Sequence, residues 1–130
     1  MRSMPGSTRA EPLFVYGTLL EGGSNAGLLA GLPRKTASIE GRLWMAPAGY
    51  PALVVGSGAT IAGELVEVDD ARLKVLDVLE GVPNLYARAK HDVRTKSGTV
   101  SAFVYVITER EARARNYRPL TTRDWRHLSR

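Results

Sequence analysis

The chain has 130 residues, 44 % hydrophobic and 24 % charged, which is the make-up of one ordinary globular domain and excludes a disordered chain. It has no cysteine and only His91 and His127, so disulfides, thiol nucleophiles and iron–sulfur clusters are excluded and a multi-histidine metal site has little material. The net charge of +5 sits entirely in residues 110–130, where seven arginines face only Glu111 and Asp124, which leaves residues 1–109 neutral.

In chain order, residues 1–11 mix Ser, Pro, Gly, Thr and Arg and read as a disordered lead-in, without the apolar core of a secretory signal. The domain is expected over residues 12–109. Leu13-Phe14-Val15-Tyr16 is a wholly apolar run ended by Gly17, the pattern of a central strand buried on both faces. Residues 17–27 hold four glycines and form a loop, with a short helix expected through Leu28-Leu29-Ala30. Residues 36–45 read as a strand, Pro47–Pro51 as a turn, and Ala52–Val55 and Thr60–Val68 as two strands joined at Gly56-Ser57-Gly58.

A helix is predicted over 70–80, with Asp69 or Asp70 as N-cap and Gly81 as its stop. Residues 85–95 and 99–107 form a predicted hairpin around Lys96-Ser97-Gly98; its second strand is apolar on both faces, as a central strand would be. Residues 110–130 read as a basic tail with one helical turn, partly docked through Trp125. One helix among about six strands, without regular β-α alternation, gives an α+β domain around a curved sheet or barrel. No apolar run reaches the roughly 20 residues of a membrane span, and a soluble cytoplasmic protein is expected.

One carboxylate stands out. On a helical wheel Glu80 falls between Leu73 and Leu76, at the edge of an apolar stripe that also includes Val75 and Leu79. It is the last residue before Gly81, where the helix dipole disfavours an anion, and burial disfavours the charge as well. Such a residue is either a glutamate at a frayed helix end, reaching water or paired with Arg88, or one placed where a proton must move. Other chemistry has little support: there is no GxSxG elbow, no GK[ST] phosphate loop and no GxGxxG spacing.

The run Phe14-Val15-Tyr16-Gly17-Thr18-Leu19 resembles the YGTL signature of the γ-glutamylcyclotransferase-like family. Gly49-Tyr50-Pro51-Ala52-Leu53 and Gly63-Glu64-Leu65 are similar to later family elements. Leu76-Asp77-Val78-Leu79-Glu80-Gly81 with Tyr86 and Arg88 resembles its LDxxEG…YxR segment, and Asp124-Trp125-Arg126 its closing DWR. The resemblance implies a small mixed β-barrel flanked by helices. It implies conversion of a γ-glutamyl compound to 5-oxoproline and a free amine, without cofactor or metal. It makes Glu80 the catalytic residue, places Tyr16, Gly17, Thr18 and Leu19 in the substrate loop, and puts Tyr86 in the pocket wall. Two other classes share the inventory: a non-catalytic small-molecule-binding protein with the same pocket, and a nucleic-acid binder using the arginine tail. Nucleic acid is not the expected partner, because arginine outnumbers lysine 14 to 4 throughout and the tail reads as an ordinary solvated segment; a membrane is not expected either, for want of a long apolar run.

Overall fold

The structure is a computed structural model that describes residues 10–127. Strand β1 (Ala10–Val15) runs antiparallel to β4 (Ala59–Asp69), with Leu13 opposite Val66, and parallel to β6 (Gly98–Val106), with Leu13 opposite Phe103. Flanked on both edges, it buries Leu13, Phe14 and Val15, as a run apolar on both faces requires. The strand begins earlier than expected: Ala10 and Glu11 pair with Asp69 and Val68 and are no part of a lead-in. Residues 1–9 of that lead-in lie outside the described residues.

Strand β2 (Arg34–Met45) is long because it serves several partners. Its first part pairs with β4, and from Gly41 onward it pairs with β3 (Pro51–Val55). Strand β5 (Ala87–Thr95) forms the expected hairpin with β6. One further pairing, Ser38 with Arg94, joins β2 to β5 and closes the order β2-β4-β1-β6-β5 into a mixed barrel. β6 is therefore central, which accounts for its apolar residues on both faces. Phe14, Leu43, Leu53, Ile61, Leu76, Val93 and Val104 fill the core.

Helix α1 (Asp70–Leu79) follows β4 directly. The Asp69 carboxylate accepts from the Arg72 N–H at 2.8 Å as its N-cap, and Gly81 at φ 69° ends it. Its buried face is narrower than the wheel suggested. Leu73 and Leu76 are buried, but Val75 is 53 % exposed and Leu79 42 %. The helix rests on the barrel along one edge, so residues to the side of that edge meet solvent.

Residues 110–127 are built into the domain, and the expected boundary at residue 110 cuts through helix α2 (Glu109–Ala114). A capping box between Thr108 and Glu111 starts this helix. Strand β7 (Arg118–Pro119) pairs with Trp44 and Met45, the Leu120 N–H donates to Leu43 O at 2.8 Å, and Trp125 is buried. Several of the tail's arginines are paired: Arg113 with Glu109, Arg115 with Glu111 and Arg126 with Asp124. Among the described residues, no helix is long and apolar enough to cross a membrane.

Candidate functional site

Where β1 and α1 both end, the barrel carries a cavity of about 210 Å³. Tyr16, Gly17, Thr18 and Leu19 line one side, and Glu80 and Tyr86 also line it. All six residues singled out by sequence therefore share one cavity. Asn25, Tyr50 and Tyr105 line it too, and sequence reasoning did not select them. Tyr50 stands in the Gly49–Leu53 run that resembles a family element, and Tyr105 in the doubly apolar strand 99–107, but neither pattern aims a side chain at the cavity. Asn25 sits in a polar loop that gives no signal of its own.

The loop after β1 turns tightly. The Leu20 N–H donates to Gly17 O at 3.0 Å and the Asn25 N–H to Thr18 O at 2.8 Å. The Asn25 side-chain amide donates to Thr18 Oγ1 at 3.0 Å. The N–H groups of Gly17, Thr18 and Leu19 have no backbone acceptor among the described residues. Gly17 packs against Pro51 so closely that a Cβ would sit 2.5 Å from Pro51 Cγ.

The aromatic wall is held by its own hydroxyls. Tyr86 Oη donates to Pro51 O at 2.6 Å, Tyr16 Oη to Tyr105 O at 2.7 Å, and Tyr105 Oη to Asp77 Oδ1 at 2.7 Å. Burial pushes the phenols of Tyr16, Tyr86 and Tyr105 well above their ordinary range. The hydrogen bond with Tyr117, aided by burial, raises Tyr50 to about 12. These four phenols are neutral at physiological pH, so they shape the cavity and cannot act as its base.

Glu80 is the C-cap of α1, its N–H donating to Leu76 O at 2.9 Å. Its carboxylate has no hydrogen-bond or ion-pair partner among the described residues, and burial lifts its pKa from 4.5 to about 7. The expected alternative, pairing with Arg88, is not what the side chains do. Arg88 donates through Nε and Nη2 to the Asp77 carboxylate at 2.8 and 3.0 Å. Burial raises the Asp77 pKa, but the hydrogen bonds from Arg88 and Tyr105 outweigh it and hold the carboxyl below the ordinary aspartate range. This pair ties the last turn of α1 to β5 and so sets where Glu80 sits.

Asp77→Asn should destabilise the fold by about 1–3 kcal/mol at pH 7, since Arg88 is left half-buried without its counter-charge. A depressed pKa contributes stability above the unfolded value and loses it as the pH falls through the folded one. The difference between wild type and variant in urea melts should therefore shrink in acid. An unchanged gap down to strongly acidic pH would assign the loss to packing.

A further arginine braces the other wall. Arg115 donates to Leu85 O at 2.6 Å and Asn84 O at 3.1 Å, pinning the segment that presents Leu85 and Tyr86 to the cavity. Among the described residues, no group of three His, Asp or Glu side chains is placed to hold a metal ion.

Residues 13–127 match the family model described as gamma-glutamyl cyclotransferase, AIG2-like. The gamma-glutamylaminecyclotransferase of Bos taurus is 32 % identical over 113 residues, spanning 76 % of this chain and 67 % of that protein. The gamma-L-glutamyl-butirosin B gamma-glutamyl cyclotransferase of Niallia circulans is 38 % identical over 102 residues, covering 72 % of this chain and 65 % of its own length. The chain thus spans about two thirds of these relatives. Among solved structures, an AIG2-like protein from Mus musculus superposes with a TM-score of 0.70 at 28 % identity, covering 76 % of this chain and 78 % of that one. With the barrel, the cavity and the sequence match in agreement, the chain belongs to the gamma-glutamyl cyclotransferase, AIG2-like family.

Proposed function

We propose that this protein converts a γ-glutamyl amine or peptide to 5-oxoproline and a free amine, with Glu80 as general acid and base. The observation that carries the reading is the unpartnered Glu80 carboxyl, with its pKa raised to about 7, in the same cavity as the Gly17–Leu19 N–H groups. The nucleophile is the substrate's own α-amino group, so no serine, cysteine or cofactor is required. Holding the γ-glutamyl chain folded makes the attack intramolecular, the arrangement that gains most from orientation.

The proton route balances within one carboxyl. Glu80 takes a proton from the α-ammonium, and the freed amine attacks the γ-carbonyl carbon. The carbonyl oxygen becomes an oxyanion, for which the loop N–H groups are the available donors. As the tetrahedral carbon collapses, the ring nitrogen gives up a second proton and the C–N bond to the leaving amine breaks. Both protons end on that amine, which departs as an ammonium. The lactam forms without consuming water.

The test is a panel of γ-glutamyl amides and dipeptides assayed for 5-oxoproline release. Release in the presence of a chelator is expected, and activity that returns only with an added divalent ion would contradict the scheme. The base must be ionised in the free enzyme, so kcat/KM should rise with pH through about 7. A limb centred near the ordinary glutamate value would remove the raised carboxyl from the mechanism.

A further inference from the structure

Arg34, at the start of β2, and Glu64, on β4, form an ion pair of 2.7 Å with side chains only 12 % and 11 % exposed. Neither residue lines the cavity. Their remaining bonds go to the loop that does. Arg34 Nη1 donates to Leu19 O at 2.9 Å and Nη2 to Ala26 O at 3.4 Å, while Glu64 Oε1 accepts the Glu21 N–H at 3.0 Å. The pair thus grips the loop backbone at three points spread from Leu19 to Ala26. The second oxygen of Glu64 faces Arg126 Nη1 at 3.5 Å, and Asp124 neutralises that arginine.

A buried ion pair is weak evidence for stability, because apolar replacements often do as well. Here an apolar pair would leave Leu19 O and the Glu21 N–H without partners. Leu19 and Leu20 sink into the core and set the depth of the loop. They do not set the tilt of its peptide planes. Fixing the Leu19 carbonyl and the Glu21 N–H orients the planes on either side of Leu20. That restricts where the neighbouring Thr18 and Leu19 N–H groups point.

We propose that Arg34 and Glu64 are positioning residues that hold the peptide planes of the 17–21 loop in the orientation that binds substrate. The kinetic part of this proposal rests on the cyclotransferase reading; the loop-ordering part does not. Arginine is needed because its planar fork reaches Glu64, Leu19 O and Ala26 O together, which a single ammonium cannot do.

The experiment compares wild type, Arg34→Met and Arg34→Lys in three readouts: melting temperature, amide hydrogen exchange, and kcat/KM for γ-L-glutamyl-n-butylamide. Arg34→Lys should melt close to wild type. It should nevertheless exchange the Glu21 and Asn25 amides about tenfold faster, while the Ile39 and Ile61 amides keep their protection. Its kcat/KM should fall about tenfold, the cost of losing one well-placed hydrogen-bond contact to the loop. Arg34→Met should show the same pattern more strongly, and if it does not fold, the Lys variant decides alone. Wild-type loop exchange together with wild-type kcat/KM in a folded Arg34→Lys protein would overturn the proposal. If the wild-type protein itself turns over no γ-glutamyl amide, the cyclotransferase reading fails, and the exchange pattern still decides whether the pair orders the loop.

Discussion

Glu80→Gln should lower turnover by about 10²–10⁴ while leaving affinity for 5-oxoproline nearly unchanged. Gln has almost the shape of Glu and keeps its hydrogen-bonding capacity, but it cannot shuttle a proton at neutral pH. The same variant should be more stable, not less. A carboxyl whose pKa rises from 4.5 to about 7 on folding costs at most about 3 kcal/mol above pH 7 and nothing below pH 4.5. Removing the charge removes that cost, so Glu80→Gln should melt higher than wild type at pH 8 and no higher at pH 4. A glutamate kept for structure gives the reverse: a lower melting temperature at neutral pH, with activity lost only in proportion to folded protein. Melting temperature, ligand affinity and turnover on one preparation separate the two cases.

Gly63→Ala should cost about 2–3 kcal/mol or more and lower activity through the fold rather than through chemistry. Gly63 lies on β4 beside the end of β1. A Cβ there would run into the Val15 carbonyl oxygen and sit 2.5 Å from Phe14 Cζ. Neither is the free end of a flexible side chain, so β1 and β4 must separate. Val15 leads directly into the Tyr16–Leu19 loop, and the strain would be felt at the cavity. Chemical denaturation should show a reduced midpoint. An unchanged midpoint would mean that the two strands have more slack than their packing implies.

The sequence carried the barrel's central strands clearly, because burial on both faces leaves an unmistakable signature in Leu13–Val15 and in β6. The end of α1 was legible for a local reason: Gly81 marks the stop, and Glu80 stands on the Leu73–Leu76 face. What failed was whatever depends on distant partners. Val75 and Leu79 fit an apolar stripe, but nothing local reveals that the barrel covers only one edge of the helix. The arginine-rich tail read as solvated because charge counting cannot show that Arg115 binds Leu85 O or that Leu120 continues the sheet at Leu43. The sequence left open whether Arg88 pairs with Glu80, and in the structure it pairs with Asp77 instead. Asp77 and Glu80 are three residues apart on one helix, and only the packing of β5 decides which of them it meets. Tyr50 and Tyr105 join the cavity through folding across the chain, and Asn25 through its loop folding back onto Thr18, which a run of polar and glycine residues does not announce.

In the proposed reaction the substrate's own amine, and not water, cleaves the γ-glutamyl bond. The most direct measurement is mass analysis of the product formed in ¹⁸O-labelled water from a γ-glutamyl amide that the protein turns over. The expected product is 5-oxoproline without the heavy isotope, released in equal amount with the amine by the wild-type protein and nearly absent with Glu80→Gln. Glutamate carrying ¹⁸O in its γ-carboxylate would show hydrolysis by water and contradict it.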